Sequence, residues 1–248
     1  MAPNAHLPHE SGQSSAERRP IRAVLFDIGG PLDLETEHER LIDADIAALL
    51  AAAGQPVAPA RYAEACRFAV DSFAPNAYQA IVWRLCTGDA ALAARVYAAV
   101  EARSHARDLF EPRPGMRELL AELHGSGLRL GLAANQPAAA LARLDRHGMG
   151  RFFAHREVSG TLGLHKPDPR LFLAACSALA VEPQACLMVG DRIDNDIAPA
   201  AELGMSTVLF RTGRHREQQP RTWLEQPDAE VGDTHELRRA LRRLAAGG

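Results

Sequence analysis

Short apolar runs punctuate the chain, and most of them stop at a polar or glycine-bearing turn. Residues 21–26 (Ile-Arg-Ala-Val-Leu-Phe) have the make-up of a strand covered on both faces, and they end in Asp27-Ile28-Gly29-Gly30-Pro31. Two glycines and a proline extend neither a helix nor a central strand, so the chain turns there with its backbone exposed. Similar runs fill 128–133, stopping at Ala134-Asn135-Gln136-Pro137, and 185–189, stopping at Gly190-Asp191; a further run fills 207–210. Between and around them, helical spacing covers 116–123, 138–147, 170–179 and 197–203. Alternation of this kind predicts an α/β fold, a Rossmann-like parallel sheet with right-handed crossovers and helices on both faces.

The pattern changes from 35 to 107. Leu41, Ile42, Ile46, Leu49 and Leu50 share one helical spacing and Ile81, Val82 and Leu85 another, with breaks at Gly54-Gln55-Pro56, Ala74-Pro75-Asn76 and Thr87-Gly88-Asp89. No strand-like alternation occurs there. A stretch of about 70 residues between a first strand and a later α/β region is too long for a loop, so it predicts an inserted all-helical cap. The expected organisation is a disordered tail at 1–20, a core built from 21–34 and 108–210, the cap at 35–107, and a C-terminal extension at 211–248 packed on the core. In that extension Leu237, Ala240, Leu241 and Leu244 lie among four arginines, which suits a docked surface helix; a basic nucleic-acid helix is the alternative.

Composition narrows the partners. The 248 residues are 47% hydrophobic and 24% charged, enough for a substantial core, and the net charge of -3 offers no general attraction for nucleic acid or anionic membrane. Four cysteines stand far apart without a C-x-x-C pair, as buried thiols of a reducing compartment do. The polar start lacks the apolar run of a secretory signal, and no stretch reaches the roughly 20 apolar residues that span a bilayer. The expectation is a cytoplasmic protein, monomer or homodimer, binding no nucleic acid and no membrane, with a small-molecule substrate.

The candidate chemistry gathers at the strand ends: Asp27, Asn135, Lys166, Asp191 and Asp196. A strand-terminal carboxylate flanked by glycines serves as nucleophile, metal ligand or both. Carboxylates gathered at one sheet edge repel unless a cation sits among them, and oxygen ligands of this kind favour Mg²⁺. Lys166 precedes Pro167-Asp168-Pro169, which turns the backbone and pins its direction. Singly, a lysine is a common surface residue and Gly-Asp an ordinary turn. The signal is the ordered set.

Phe26-Asp27-Ile28-Gly29-Gly30-Pro31-Leu32-Asp33, Leu130-Gly131-Leu132-Ala133-Ala134-Asn135, Gly163-Leu164-His165-Lys166-Pro167-Asp168-Pro169 and Val189-Gly190-Asp191-Arg192-Ile193-Asp194-Asn195-Asp196-Ile197 resemble, in order, the four motifs of the haloacid dehalogenase superfamily. The third and fourth are close matches; the first two are degenerate. The resemblance implies a Mg²⁺-dependent phosphatase of a small phosphorylated metabolite, working through an aspartyl-phosphate at Asp27 with Lys166 as its catalytic partner. The metal's ligands would be Asp27, the Gly29 carbonyl and Asp191, with Asp196 supporting the metal or pairing with Lys166. Gly30, Ala134, Asn135 and Lys166 would contact the phosphate.

Two positions depart from the family. Phosphatases of this kind carry an acid two residues after the nucleophile, where this chain has Gly29, and a Ser or Thr hydroxyl where it has Ala134. A general acid contributes about 10²- to 10⁴-fold, so its loss predicts slow turnover, a good leaving group or a substitute acid. Asn135 is the candidate replacement donor, and Asp33, Glu35, Glu37, His38 and His165 are candidate acids. Two alternatives compete: a metal-independent 2-haloacid dehalogenase, which the Gly190-Asp191 arrangement disfavours, and a catalytically weak binding or regulatory protein.

Overall fold

The computed structural model describes residues 19–246, so the expected disordered tail lies outside the described residues except at its last two positions. In chain order the elements are β1 (Ala23–Phe26), α1 (Thr36–Ala52), α2 (Pro59–Asp71), α3 (Ala77–Leu85), α4 (Ala90–His105), α5 (Met116–Gly125), β2 (Arg129–Leu132), α6 (Ala139–Arg146), α7 (Ser159–Leu162), α8 (Pro169–Ala178), β3 (Cys186–Gly190), α9 (Ala198–Glu202), β4 (Ser206–Phe210), β5 (Ala229–Val231) and α10 (Thr234–Ala245). The sheet is parallel throughout, in the order β2-β1-β3-β4-β5.

Period-two alternation divides the core. Val24 and Phe26 of β1, with Leu187 and Val189 of β3, pack against Met116, Leu119 and Leu120 of α5 and Leu144 of α6. Ala23, Leu25, Cys186 and Met188 point the other way, against Leu171, Phe172 and Ala175 of α8 and Ala200 of α9. A strand buried on both faces needs apolar side chains at every position, which is why these runs are short and continuous rather than alternating. Cys176 and Cys186 meet in the second layer as free thiols 3.5 Å apart.

Between β1 and α5 the chain forms α1 to α4, with no strand among the described residues. Ile42, Ile46, Leu50, Ile81, Val82, Leu85, Val96 and Val100 make a hydrophobic cluster of their own, separate from both faces of the sheet. Asp45 ties α1 to the far end of this bundle through Arg103 (2.8 Å) and Arg107 (2.6 Å).

The C-terminal segment holds more than the helix read from its spacing. It also supplies β5, paired with β4 through Val208↔Ala229 and Phe210↔Val231. Three residues with Glu230 in the middle leave no hydrophobic signature, so pairing, not pattern, makes the strand. After it, Asp233 caps α10 by accepting from the Glu236 N–H at 2.8 Å, and Leu237 and Leu241 enter the α5 layer. Arg238 and Arg242 close on Glu122 of α5 at 2.9 and 2.7 Å. No helix among the described residues is long and apolar enough to cross a membrane.

Candidate active site

Sheet register levels the strand ends. Phe26 lies opposite both Leu132 and Val189, so Asp27, Ala133 and Gly190 emerge along one carboxyl edge, the edge that carries ligand sites in open α/β sheets. The Asp27 N–H donates to the Val189 carbonyl (2.9 Å) and the Ala133 N–H to the Phe26 carbonyl (2.9 Å), which holds the edge in line up to the point where the loops begin.

Lys166 reaches that edge from another direction. Asp168 caps α8, accepting from the Arg170 N–H at 2.9 Å, and Pro169 opens the helix with its φ already set. The lysine thus stands two residues ahead of the cap of a fixed helix start. Asn135 fixes it further: its side-chain oxygen accepts from the Lys166 N–H at 2.7 Å and its amide N–H donates to the Lys166 carbonyl at 3.0 Å. The buried ammonium lies 2.6 Å from Asp196 Oδ1 and 3.0 Å from Asp27 Oδ2. Burial alone would depress the lysine's pKa, but the two carboxylates outweigh it and raise it.

Asp196 arrives on a single π-helical turn, Ile193–Ile197, a distortion often found at functional sites. Its Oδ2 accepts from the Asp191 N–H (3.0 Å) and the Arg192 N–H (2.9 Å), so each of its oxygens has a partner. Gly190 is demanded by this approach, because a Cβ there would lie 2.3 Å from Asp196.

Asp27, Asp191 and Asp196 bring one oxygen each within 4.8 Å of one another. The cluster is short of positive charge. Burial first, then neighbouring carboxylates, push Asp191 well above the usual range, and burial against the opposing pull of Lys166 lifts Asp27 to about 6. The Asp191 carboxylate accepts no hydrogen bond from any described residue. An all-oxygen donor set, crowded, desolvated and served by one ammonium, fits a hard divalent cation.

Gly30 and Ala134, expected to contact a phosphate, are not among the residues that line the cleft. Gly30 turns the loop at φ 78°, its carbonyl accepts from Arg113 Nε at 2.9 Å, and a Cβ on it would meet Asp191 Cγ at 2.7 Å; it permits a close approach and does not line the cleft. Ala134 is sealed in the core and its carbonyl accepts from the Ser159 N–H at 3.0 Å, so its side chain reaches nothing in the cleft. Asn135 lines the cleft, but as the brace of Lys166 described above.

The cleft above the edge measures about 360 Å³ and is bounded by Asp27, Gly29, Asn135, Lys166 and Asp191 from the core and by Asn76 and Tyr78 from the helical insertion. Four further side chains line it. Arg192 reaches across to the Ala74 carbonyl (3.1 Å), tying core to insertion. Arg214, in the loop after β4, pairs with Asp43 at 2.7 Å, and beside it burial and the two arginines lower His215 to about 3, leaving a neutral imidazole. The fourth is Glu35, at the mouth of α1. Its backbone is left-handed (φ 55°), its N–H donates to Asp33 Oδ1 at 3.1 Å, and its carboxylate oxygens stand 2.8 and 2.9 Å from where a Cβ on Gly29 would be. Burial, then Asp33 and Asp27, raise it to about 8. Sequence spacing placed Glu35 among several candidate acids but carried no sign of the tight turn that folds it back on Gly29.

Known proteins share this architecture. A glyceraldehyde 3-phosphate phosphatase from Methanopyrus kandleri is 35% identical over 136 residues, 54% of this chain and 58% of the relative. The chain spans about half the length of the curated relatives it matches. Among solved structures, a predicted phosphoglycolate phosphatase from Haemophilus somnus superposes with TM-score 0.65 at 19% identity, covering 89% of this chain and 98% of that one. A 2-haloacid dehalogenase from Pseudomonas syringae superposes with TM-score 0.57 at 24% identity, covering 90% and 99%. At those identities the likeness is one of fold. The family model for haloacid dehalogenase-like hydrolases matches residues 21–204, from β1 to just beyond α9, and the chain belongs to that family.

Proposed function

We propose that this protein is a Mg²⁺-dependent phosphatase of small phosphorylated metabolites, with Asp27 as nucleophile and the helical insertion as its cap. The observation that carries the reading is the close set of Asp27, Asp191 and Asp196, with one buried lysine paired to the first and the last, at the floor of the cleft. Similarity to a phosphatase supports the reaction class. Asp196 would brace the lysine with or without a metal, but an aspartate attacking carbon without metal would have no use for a second carboxylate at Asp191, which takes no hydrogen bond from the described residues.

Asp27, Asp191 and the Gly29 carbonyl would hold the cation, which when bound neutralises charge on the transferring phosphoryl group. Lys166 orients Asp27 through Oδ2 and presents an ammonium to a phosphoryl oxygen. Asp27 Oδ1 accepts from the Ile28 N–H at 2.8 Å, which fixes the carboxylate plane for attack on phosphorus. Asp196 positions the lysine and the Asp191 backbone. The cleft volume suits a small metabolite, and Asn76, Tyr78, Arg214 and His215 would face the part of it that is not phosphate.

The test is phosphate release from a panel of phosphorylated metabolites, with and without Mg²⁺, beside Asp27→Asn. Wild type should turn over at least one member in a Mg²⁺-dependent manner, and Asp27→Asn should lose on the order of 10⁴-fold or more. Turnover of the whole panel no faster than the Asp27→Asn background overturns the reading, and halide release from 2-haloacids without metal would replace it.

A further inference from the structure

We infer that Glu35 supplies the proton that residue 29 lacks: it protonates the leaving oxygen and then activates the water that clears the enzyme. This assignment rests on the phosphatase reading of the same cleft. The nucleophile's loop carries glycine where an acid would follow two residues on, and the space such a side chain would enter holds the Glu35 carboxylate instead. Cβ at position 29 would come within 2.8 Å of Oε2 and 2.9 Å of Oε1, closer than real Cβ contacts allow. One position is empty and the other fills it.

The loop is built to bring this about. The Leu32 and Asp33 N–H groups donate back to the Ile28 carbonyl at 3.1 and 2.9 Å, closing a tight turn that returns the chain beside Gly29. Asp33 then braces two segments at once, accepting from the Glu35 N–H (3.1 Å) and the Glu111 N–H (2.8 Å) through Oδ1. Glu35 sits at φ 55°, a conformation costly to a residue with a Cβ, at the edge of the cleft. Its carboxylate accepts no hydrogen bond from any described residue. A glutamate present only to cap α1 would bond to the helix's free N–H groups, and this one does not.

The competing acids are placed elsewhere. Asp33 is engaged by two backbone N–H groups; Glu37 is exposed and paired with Arg40 at 2.6 Å; His165 is exposed and outside the cleft lining. His38 lines the cleft, but Glu35 is the one whose carboxylate sits against Gly29.

In the first step an Asp27 oxygen bonds to phosphorus, the bond from phosphorus to the substrate oxygen breaks, and the Glu35 carboxyl gives its proton to that oxygen, so the alcohol leaves neutral. In the second, water bonds to phosphorus while its proton passes to the Glu35 carboxylate. The bond from phosphorus to Asp27 breaks, returning free aspartate, inorganic phosphate and a protonated Glu35.

The full chain with Mg²⁺ is assayed on an alkyl phosphate that wild type hydrolyses and on p-nitrophenyl phosphate, whose leaving group needs little protonation. Glu35→Gln, which keeps size and shape, should lower kcat on the alkyl ester by about 10²- to 10⁴-fold with KM nearly unchanged. On p-nitrophenyl phosphate it should give a burst of one nitrophenolate per enzyme, then slow turnover, with phosphate trapped on Asp27 in the intact mass after acid quench. Gly29→Asp combined with Glu35→Ala should recover most of what Glu35→Ala alone loses, which a merely structural role would not permit. An unchanged kcat in Glu35→Gln overturns the assignment. So does an equal loss on both esters without burst or phosphoenzyme, or a loss removed by raising Mg²⁺; each leaves the phosphatase reading standing. Wild type no faster than Asp27→Asn on every ester overturns both.

Discussion

Two carboxylates of the site are treated in opposite ways by the fold. Asp196, on the β3 side, has a partner for each oxygen: Lys166 on one, the Asp191 and Arg192 N–H groups on the other. Glu35, on the β1 side, has none from the described residues, and its backbone is held in a costly conformation. A buried charge with all its bonds made is a strut; its energy lies in the arrangement it fixes. A desolvated carboxylate without hydrogen-bond partners is poised to exchange a proton, because burial and the neighbouring carboxylates outweigh the pull of Lys166 on its charged form. The site thus separates the groups that hold geometry from those that react, and the separation is testable one residue at a time.

The largest effect on stability should come from cutting the strut. Asp196→Ala leaves two part-buried N–H groups without their acceptor and removes the shorter of the two contacts on the buried Lys166 ammonium, a loss of about 3–5 kcal/mol. Urea unfolding with m unchanged would show it as a lower midpoint. A loss under about 1 kcal/mol would mean that water satisfies these groups and Asp196 is no strut.

Gly30, in the loop after Asp27, gives a smaller effect. Gly30→Ala meets both a left-handed φ and Asp191 Cγ at 2.7 Å, whereas Gly54→Ala, at nearly the same φ (77°), has nothing within 4 Å. The first should cost about 2–3 kcal/mol and the second about 1, and their difference in thermal unfolding isolates the crowding against Asp191. Equal costs would show that the loop after β1 gives way freely.

Much of this was legible in the chain before folding was considered. Continuous apolar runs mark strands covered on both faces, and in a parallel sheet every such strand ends on the same side, so Asp27 and Asp191 were bound to share an edge. Lys166 comes from a loop and Asp196 from a helical turn, but their motif spacing marked both. What stayed hidden depends on through-space fit. The amide of Asn135 offered itself as a phosphate donor; its role as a brace depends on how the loop before α8 packs. Ala134 matched a motif position, yet an alanine at the end of a buried strand has only the core to face. Glu35 could not be told from Asp33 or Glu37 by spacing, since the turn through the Ile28 carbonyl decides which of the three returns to the site. Arg214 and His215 follow β4 in a segment with no periodic pattern at all.

The smallest effect is the one with the most telling sign. Glu35 rises from 4.5 to about 8 in the folded protein, chiefly by burial, so the native state holds this proton more tightly than the unfolded chain does. Its stabilising contribution is complete below about pH 4.5 and is lost as pH rises through about 8. Glu35→Gln cannot ionise and keeps the neutral form throughout. Without metal, the variant and wild type should therefore unfold at nearly the same temperature at pH 4.5, and the variant should be the more stable above pH 8. Screened through the open cleft, the gain is on the order of 1–2 kcal/mol, or roughly 2–8 °C for a domain of this size. Asp27 and Asp191 shift in the same direction, so both proteins should lose stability over this range and only their difference reports Glu35. Removing one carboxylate of the site would then weaken the fold while removing another strengthens it. A constant difference across pH would show that Glu35 is as well solvated as any surface glutamate, and the contrast with Asp196 would dissolve.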